Sequence, residues 1–206
     1  MTFNGVNLRD KVSWTETHVF FLGGPLSQWY MKAPFVAPVP MLGHDLPVAD
    51  TVRGLQPAGT MPLDFDRNAF KFSCCEQYMM AGKAGLFGDD ETLIEILKHS
   101  MPDDQKALGR KVKNFDLQVW NEHAIDIVFS GNLHSYQQNP HRVEYLRSFG
   151  DKIIVEGAHY DPVWGVKLAW NDPKIIDPAN WQGTNWLGIA HMKCRDALNT
   201  EVNEAV

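Results

Sequence analysis

The sequence lacks the short signatures of the common nucleotide-binding and metal-dependent enzymes. It contains no GxxxxGK[ST] phosphate loop, no GxGxxG dinucleotide motif, no HExxH zinc helix and no CxxC pair. Its eight histidines are scattered, and none has a second potential ligand at the spacing of a zinc site. We therefore expect neither a metal nor a cofactor, so any chemistry would come from ordinary side chains.

Long apolar runs and paired cysteines are also missing. No stretch approaches the about 20 apolar residues that a membrane-spanning helix requires, and the opening MTFNGVNLRDKVSW carries charges where a signal peptide needs an apolar region. The three cysteines, Cys74, Cys75 and Cys194, cannot all form disulfides, and an odd number fits a reducing compartment. We expect a cytoplasmic protein with no membrane partner.

Positive charge is scarce. The formal net charge is -6 and the sequence pI is about 5.7, which disfavours a protein that coats nucleic acid through phosphate contacts. An enzyme that acts on one nucleotide needs only a local basic pocket, so this class stays open. The seven tryptophans are numerous for packing alone, and some of them are expected to grip a flat ring.

The pattern of apolar residues predicts a mainly α (α+β) fold, a single domain over residues 1–206 with small β elements. The first third is predicted to be irregular, and residues 36–70, rich in proline and glycine, to form an extended loop or insertion. The stretch from Pro34 to Asp66 is either a structured loop or strands with long connections. DKIIVEGAHY is predicted to contain a strand. Helices are predicted over 75–87, 89–100, 116–133 and 139–150, and from 102 and about 187 onward.

Glu76 and Lys83 are the most suggestive charged pair. They lie seven residues apart, so on a helix they share a face and are separated by about 10 Å of rise. This spacing suits a small ligand held between them, and Met79 and Met80 are unusual on a solvated face. The alternative is an ordinary exposed helix surface. The neighbouring Cys74 and Cys75 are interpreted as packing residues, because the carboxylate of Glu76 would raise a thiol pKa.

Three other segments have the composition of binding loops. GPLSQWYMKAPF is dense in glycine, proline and aromatic residues, and is either a rigid binding loop or a hydrophobic plug. HYDPVWG contains Asp161, which is either a general base or a cap of its own turn, the turn cap being favoured locally. WQGTNWLG precedes a helix whose first backbone amides could hold a phosphate.

Six blocks occur in an order that resembles the NADAR/YbiA family. They are FFLGGPLSQWYMKAPF, FSCCEQYMMAGKAGLFGD, QKALGRKVKNFD, VWNEHAIDIVFSGNLHSYQQNP, YDPVWGVKL and NDPKIIDPANWQGTNWLGIAHMKCR, and they extend from about Val19 to Leu198. The segment from Pro34 to Phe70 is longer than in the short bacterial members. The resemblance implies a compact YbiA-like domain with cleavage of an N-glycosidic bond as its activity.

The resemblance also implies site residues. Glu76 and Lys83 match the active-site pair, with Asp161 as a further catalytic candidate. Arg110 would hold a phosphate, with amides near Leu187 as a second phosphate contact, and Trp29, Trp164 or Trp186 would stack on a base. The expected substrate-binding residues are Trp29, Tyr78, Arg110, Trp164, Gly165, Asn185, Trp186, Leu187 and Gly188.

Family members suggest two substrates. The first interpretation is removal of ADP-ribose from the amino group of guanine in nucleic acid, which reverses a DarT-type toxin. The alternative is hydrolysis of phosphoribosylamino-pyrimidine intermediates of riboflavin synthesis, and a third possibility is a non-catalytic binder of ADP-ribose or NAD. A buried, neutral Lys83 could attack the ring-opened sugar as a nucleophile, with Glu76 or Asp161 moving protons.

Overall fold

A computed structural model describes residues 2–41, 43 and 69–204 of the chain. The chain divides into two compact units, one made of Met1–Tyr30 with Pro140–Val206 and the other of Met31–Asn139. Most of the predicted insertion over residues 36–70 lies outside the described residues. The single domain over residues 1–206 stays a prediction.

The first unit is built on a four-stranded sheet. Its first three strands form an antiparallel meander, and the fourth pairs in parallel with the third, with Val19 opposite Ile154 and Phe20 opposite Val155. Valine, isoleucine and phenylalanine dominate the two paired inner strands, as suits a buried pleated surface. The strands are β1 (Gly5–Asn7), β2 (Val12–Trp14), β3 (His18–Phe21) and, after the second unit, β6 (Ile153–Glu156).

One face of this sheet carries the core of the first unit. Phe20 and Val155 from the sheet pack with four residues of the segment that follows β6, namely Val166, Trp170, Ile175 and Ile176. The first unit also contains helices α5 (Pro140–Arg147) and α6 (Trp186–Glu204), and α6 packs against β6.

The second unit is mainly helical. Two strands, β4 (Phe35–Pro38) and β5 (Ala69–Phe72), pair in antiparallel fashion, with Phe35 opposite Phe72. Its four helices are α1 (Cys75–Leu86), α2 (Asp90–Lys98), α3 (Pro102–Gly109) and α4 (Leu117–Gln138).

Helix α1 is the centre of the second unit, because α2, α3 and α4 all pack against it. Small residues make this possible. A Cβ atom on Gly82 would lie 2.7 Å from Cγ2 of Ile127 on α4, and one on Gly131 of α4 would lie 2.5 Å from the ring of Tyr78 on α1. The helix is consequently buried almost all round, including the carboxylate-bearing residue Glu76.

The predicted fold class is confirmed, since the chain is an α+β fold, and the residues that the structure describes are mainly helical, at 49% with six helices. The prediction of an irregular first third was wrong, because β1 to β3 lie there. These strands are three or four residues long, too short to establish a clear alternation. Helix α4 continues to Gln138, beyond its predicted end at residue 133. Helix α5 ends at Arg147, before its predicted end at residue 150, because the chain turns at Gly150, where φ is 55°.

Two buried basic side chains fix the loop after β3. Nε of Arg142 donates to the carbonyl of Pro25 at 2.8 Å, and Nε2 of His191 lies 2.7 Å from the carbonyl of Leu26. A carbonyl only accepts, so His191 donates from Nε2. Burial, assisted by the charge of Arg142, lowers the pKa of His191 to about 3, which keeps its ring neutral at physiological pH.

We predict that His191 makes the fold sensitive to acid. The unfolded chain can protonate this histidine below about pH 6.5, whereas the folded chain resists until about pH 3, so stability is lost as the pH falls through this window. The loss should approach about 1.4 kcal/mol per pH unit from this residue. Urea unfolding from pH 7.5 to pH 4 should therefore show a flatter profile for His191→Gln than for wild type.

The partly exposed His123→Gln variant is the control for this series. It should keep the slope of the wild type. Parallel pH profiles for wild type and His191→Gln would contradict the assignment.

Candidate active site

Glu76 and Lys83 both lie on α1, as the sequence predicts. Glu76 is in the first turn and only 2% exposed, and Lys83 is half-buried in the last turn. A carboxylate near the N-terminus and an ammonium near the C-terminus both agree with the helix dipole. Burial of two charged side chains on a central helix is unusual for residues that serve only solubility.

The amine of Lys83 has defined surroundings. Its Nζ donates a hydrogen bond to the carbonyl of Gly109, the last residue of α3, at 2.9 Å. The same nitrogen lies 4.1 Å from the ring centroid of Phe115 and 5.6 Å from that of Trp120. The carbonyl at a helix C-terminus and the faces of aromatic rings all attract a cation.

Burial acts in the opposite direction and lowers the pKa of Lys83 below its ordinary value. The amine therefore loses its proton more readily than an exposed lysine does, while its position stays fixed by the Gly109 carbonyl. On the sequence alone, the apolar residues noted on the helix face of Lys83 were Met79 and Met80. The contacts with Nζ that the structure gives are instead aromatic.

Gly109 contributes to these surroundings. A Cβ atom at this position would lie 1.9 Å from Sδ of Met80, a buried residue of α1. A larger residue would force the side chain of Met80 to shift, and glycine lets α3 approach α1 closely enough for its last carbonyl to reach Lys83. Sequence reasoning missed Gly109, Phe115 and Trp120. The first two lie in the family block QKALGRKVKNFD, but nothing in their spacing indicates contact with α1.

Tyr78 and Arg110 occupy very different surroundings in the same unit. Tyr78 is a core residue, 2% exposed, whose ring packs on those of Phe35 and Phe72 and whose hydroxyl lies 3.0 Å from Oγ of Ser130. Burial raises its pKa, so it stays protonated. Arg110 follows α3 directly and is exposed, and the described residues give its guanidinium no ion pair. Arg110 is thus available to bind an anion.

In the first unit, two loops are bound to each other through their backbones. Four consecutive backbone amides, 184–187, donate hydrogen bonds of 3.0 to 3.2 Å to carbonyls of residues 162–165. The pairs are Thr184 to Pro162, Asn185 to Gly165, Trp186 to Val163 and Leu187 to Trp164. Gly183 makes the approach possible, since its Cβ atom would lie 2.3 Å from the carbonyl oxygen of Gly165. The rings of Trp164 and Trp186 meet edge to face at 5.8 Å. The result is a rigid platform that carries two half-buried indoles.

These backbone hydrogen bonds occupy amides at the start of α6 that the sequence suggested as a phosphate contact. The amides of Trp186 and Leu187 already donate to carbonyls of the neighbouring loop, so neither is offered to a phosphate. Asn185 is also engaged, because its Oδ1 accepts from the amide of Glu156 and its Nδ2 donates to the carbonyl of Ile154, both at 2.9 Å. It joins α6 to β6.

The remaining predicted residues of this unit have mainly architectural contacts. Oδ1 of Asp161 accepts from the amides of Val163 and Trp164 at 2.9 Å, which is the turn-cap interpretation. Gly165 is buried, and a Cβ atom on Gly188 would lie 2.1 Å from the carbonyl of Ile154. Trp29 differs, since its side chain is 40% exposed.

The predicted residues therefore form two sets. Glu76, Tyr78, Lys83 and Arg110 belong to the second unit, and the tryptophans, Asp161 and the glycine-rich loops to the first. Within the described ranges, no group of three or more His, Cys, Asp or Glu side chains could hold a metal ion. No described helix has the length and apolarity needed to cross a membrane.

The cysteines next to Glu76 are packing residues, as interpreted from the sequence. Cys74, Cys75 and Cys194 are all buried, and no disulfide joins them. Burial raises the pKa of Cys74 to about 11, so this thiol does not become a nucleophilic thiolate near neutral pH.

Comparison with known proteins gives consistent relatives. A model of the NADAR domain matches residues 22–199. The protein named N-glycosidase R617 of Acanthamoeba polyphaga mimivirus is 40% identical over 126 residues, which cover 61% of this chain and 74% of the relative. Protein irg-1 of Caenorhabditis elegans is 37% identical over 133 residues, 63% of this chain. The match covers 62% of the nematode protein, so less than two thirds of it.

The fold has a counterpart among solved structures. The NMR structure of the E. coli protein YbiA superimposes with a TM-score of 0.63 and covers 97% of this chain and 95% of YbiA. The two sequences are 18% identical, so this likeness concerns the fold alone.

We predict that Gly109→Ala destabilises the protein by about 1–3 kcal/mol, because the added methyl overpacks the contact between α3 and α1. Urea unfolding measures the change. Met80→Ala removes the obstructing sulfur, so in that background the same substitution should have a smaller effect. Ala107→Ser, on an exposed position of α3, is the control and should change stability little. Equal effects of Gly109→Ala in both backgrounds would contradict this explanation.

Proposed function

Because this chain belongs to the NADAR family, we propose that it is an N-glycosidase that hydrolyses the bond between C1 of a ribose and an amino nitrogen. The mimivirus relative that bears the name N-glycosidase supports this reaction class. In the proposal the substrate is ADP-ribose attached to the amino group of guanine in nucleic acid. Such an activity would reverse the modification made by a DarT-type toxin.

One observation carries the proposal, the half-buried amine of Lys83. Its pKa is lowered by burial, and its nitrogen is held at 2.9 Å by the Gly109 carbonyl. A neutral amine in a fixed position is the group that attacks a carbonyl or an imine. Glu76, buried on the same helix, is the proton carrier assigned to it, with Asp161 as the other carboxylate candidate.

The proposed reaction begins with ring opening of the glycosylamine. The bond from C1 to the ring oxygen breaks, the ring oxygen takes a proton, and C1 becomes double-bonded to the guanine nitrogen. The lone pair of Nζ of Lys83 then adds to C1. After proton transfer to the guanine nitrogen, the bond from C1 to that nitrogen breaks and a Schiff base to Lys83 remains.

Water completes the cycle. It adds to C1 of the Schiff base, and the bond from C1 to Nζ breaks. The products are free guanine amine, ADP-ribose and the original lysine, so one water molecule is consumed in total. The acid that protonates the leaving nitrogen and the base that deprotonates the water are the same carboxylate in alternate states, a task for which Glu76 is the first candidate.

Binding is assigned to cationic and flat side chains. The exposed Arg110 is the contact for a phosphate, because a guanidinium can donate two parallel hydrogen bonds. Trp29, Trp164 and Trp186 are the candidates for stacking on a base. The net charge of -6 disfavours long contacts with nucleic acid, but an enzyme that takes up a single flipped or unpaired nucleotide needs few of them.

A second candidate is hydrolysis of a phosphoribosylamino-pyrimidine, as in riboflavin synthesis. The amides of Trp186 and Leu187 favour this candidate, because both donate to carbonyls of the neighbouring loop. They are therefore not available for the second phosphate contact that the sequence suggested. Arg110 remains, and one phosphate is all that this smaller substrate presents.

Product release from defined substrates tests the proposed function. Purified protein is incubated separately with an oligonucleotide that carries ADP-ribosylated guanine and with the phosphoribosylamino-pyrimidine, and products are followed by mass spectrometry. We expect release of ADP-ribose from the oligonucleotide. Release only from the pyrimidine compound would favour the second candidate. Binding of ADP-ribose or NAD without turnover of either substrate would indicate a non-catalytic binding protein.

The covalent step makes a separate prediction about Lys83. Borohydride added during turnover should attach the sugar to wild type and not to Lys83→Met, which keeps the length of the side chain but has no amine. The turnover rate should fall by about 100-fold or more, and Glu76→Gln should lose a similar factor. The rate should rise with pH and level off below the ordinary lysine pKa of about 10.4, because burial lowers the pKa of Lys83.

Lys98→Met is the control, because Lys98 is exposed and paired with Glu95 on α2. It should trap the sugar and turn over like wild type. An active Lys83→Met enzyme would rule out the covalent route and leave direct attack by water.

A further inference from the structure

Phe115 lies beside the amine of Lys83 and remains open to solvent. The centroid of its ring is 4.1 Å from Nζ of Lys83, and the residue is 44% exposed. The ring of Trp120 lies 5.6 Å from the same nitrogen but is buried. Of these two aromatic neighbours of the amine, Phe115 is therefore the one that a ligand can reach from outside.

Phe115 is anchored by the elements on both sides of it. Its ring packs edge to face on that of Phe87, the residue that ends α1, with the two centroids 5.3 Å apart. The next residue in the chain, Asp116, caps α4 by accepting from the amide of Val119 at 3.0 Å. The fold thus holds Phe115 between α1 and α4 while part of the residue stays exposed.

An open groove begins at the residue after Phe115. Its volume is about 590 Å³, and sites for small ligands measure about 300–1,000 Å³. Leu117 is 63% exposed, so the surface beside Phe115 is partly apolar. The groove is lined by the start of α4, namely Asp116, Leu117, Gln118, Asn121 and Glu122.

The proposed reaction brings the leaving base close to Nζ of Lys83. When Nζ adds to C1 of the sugar, three covalent bonds connect it to the nearest ring atom of the base. They run from Nζ to C1, from C1 to the amino nitrogen, and from that nitrogen to the ring. Each bond measures about 1.5 Å or less, so the nearest ring atom lies within about 4.5 Å of Nζ. An aromatic side chain beside Nζ is therefore also beside the base.

We propose that the leaving base packs against the ring of Phe115. Aromatic rings pair in offset or edge-to-face arrangements with their centroids about 4.5–7 Å apart. Such a contact holds the base while its bond to C1 breaks. It also gives the enzyme a preference for substrates in which a flat ring, rather than an alkyl group, carries the amino nitrogen.

This inference rests on the proposed function and adds the residue that contacts the leaving group. It applies to both candidate substrates, because guanine and the pyrimidine are both flat rings. Phe115 belongs to the same unit as Lys83, whereas the three tryptophan candidates for stacking belong to the other unit.

Removal of the ring should slow release of the base. Phe115→Leu keeps an apolar side chain, and kcat/KM for the ADP-ribosylated oligonucleotide should fall about 5- to 150-fold, the range expected for loss of base–aromatic stacking. Phe115→Tyr retains the ring and should restore most of the activity. Phe149→Leu is the matched control, because Phe149 packs on Tyr145 in the first unit. A loss in Phe115→Leu no greater than in Phe149→Leu would overturn the proposal.

A trapping reaction separates contact with the base from an effect on the amine. Free ADP-ribose has an aldehyde at C1 in its open form and no base on that carbon. With cyanoborohydride it should become attached to Lys83, and Phe115→Leu should lose far less in this reaction than in release of the base. Equal losses in both reactions would mean that Phe115 acts through Lys83 alone, which overturns the proposal.

A fluorine label tests the contact without turnover. Phe115 or, as control, Phe149 is replaced by 4-fluorophenylalanine, and the protein is titrated with guanosine monophosphate. The ring current of the base should shift the fluorine resonance at position 115 saturably and leave that at position 149 unchanged. Absence of a shift at position 115 overturns the proposal. A shift there in a protein that turns over neither substrate contradicts the proposed function and leaves the base contact standing.

Discussion

The burial of α1 is the constraint on which the second unit and its chemistry depend. Three other helices pack against it, and the chain permits this by placing glycine where helices meet, at Gly82, Gly109 and Gly131. Once α1 is enclosed, Lys83 loses much of its water and its surroundings become two aromatic rings and a carbonyl. The same packing that stabilises the unit therefore lowers the pKa of Lys83, the nucleophile of the proposed reaction. A catalytic amine on an exposed helix would need some other means to lose its proton.

The first unit uses buried polar side chains to hold backbone in place. Asn185 ties the start of α6 to β6, and Arg142 and His191 clamp the carbonyls of the loop after β3. Each of these groups hydrogen-bonds to backbone, so each adds rigidity to the segment that it holds. Loops fixed in this way can present tryptophans at defined positions.

The helices could be predicted from the sequence because their signals are local. Asp89 caps α2 through the amide of Thr92, and Pro102 opens α3, both as the spacing of residues indicates. The strands β1 to β3 could not, since strands of three or four residues are too short to show a clear alternation of apolar and polar residues. The resemblance of the ordered blocks supplied the family, and with it Glu76 and Lys83. The surroundings of Lys83 could not be predicted from the sequence, because Gly109 and Phe115 contact it only through the packing of α3 and α4 on α1.

Two opposing effects act on the protonation of Lys83. Burial favours the neutral amine, whereas the carbonyl at the end of α3 and the ring of Phe115 favour the ammonium. If burial acted alone, the nitrogen would lose its proton more readily but would be unrestrained. If the cation-binding groups acted alone, it would be held but protonated. The combination gives an amine that is held in one place by a hydrogen bond and still loses its proton more readily than an exposed lysine does. A nucleophile in a covalent N-glycosidase needs both properties, since its nitrogen must be correctly positioned and unprotonated when the ring-opened sugar forms.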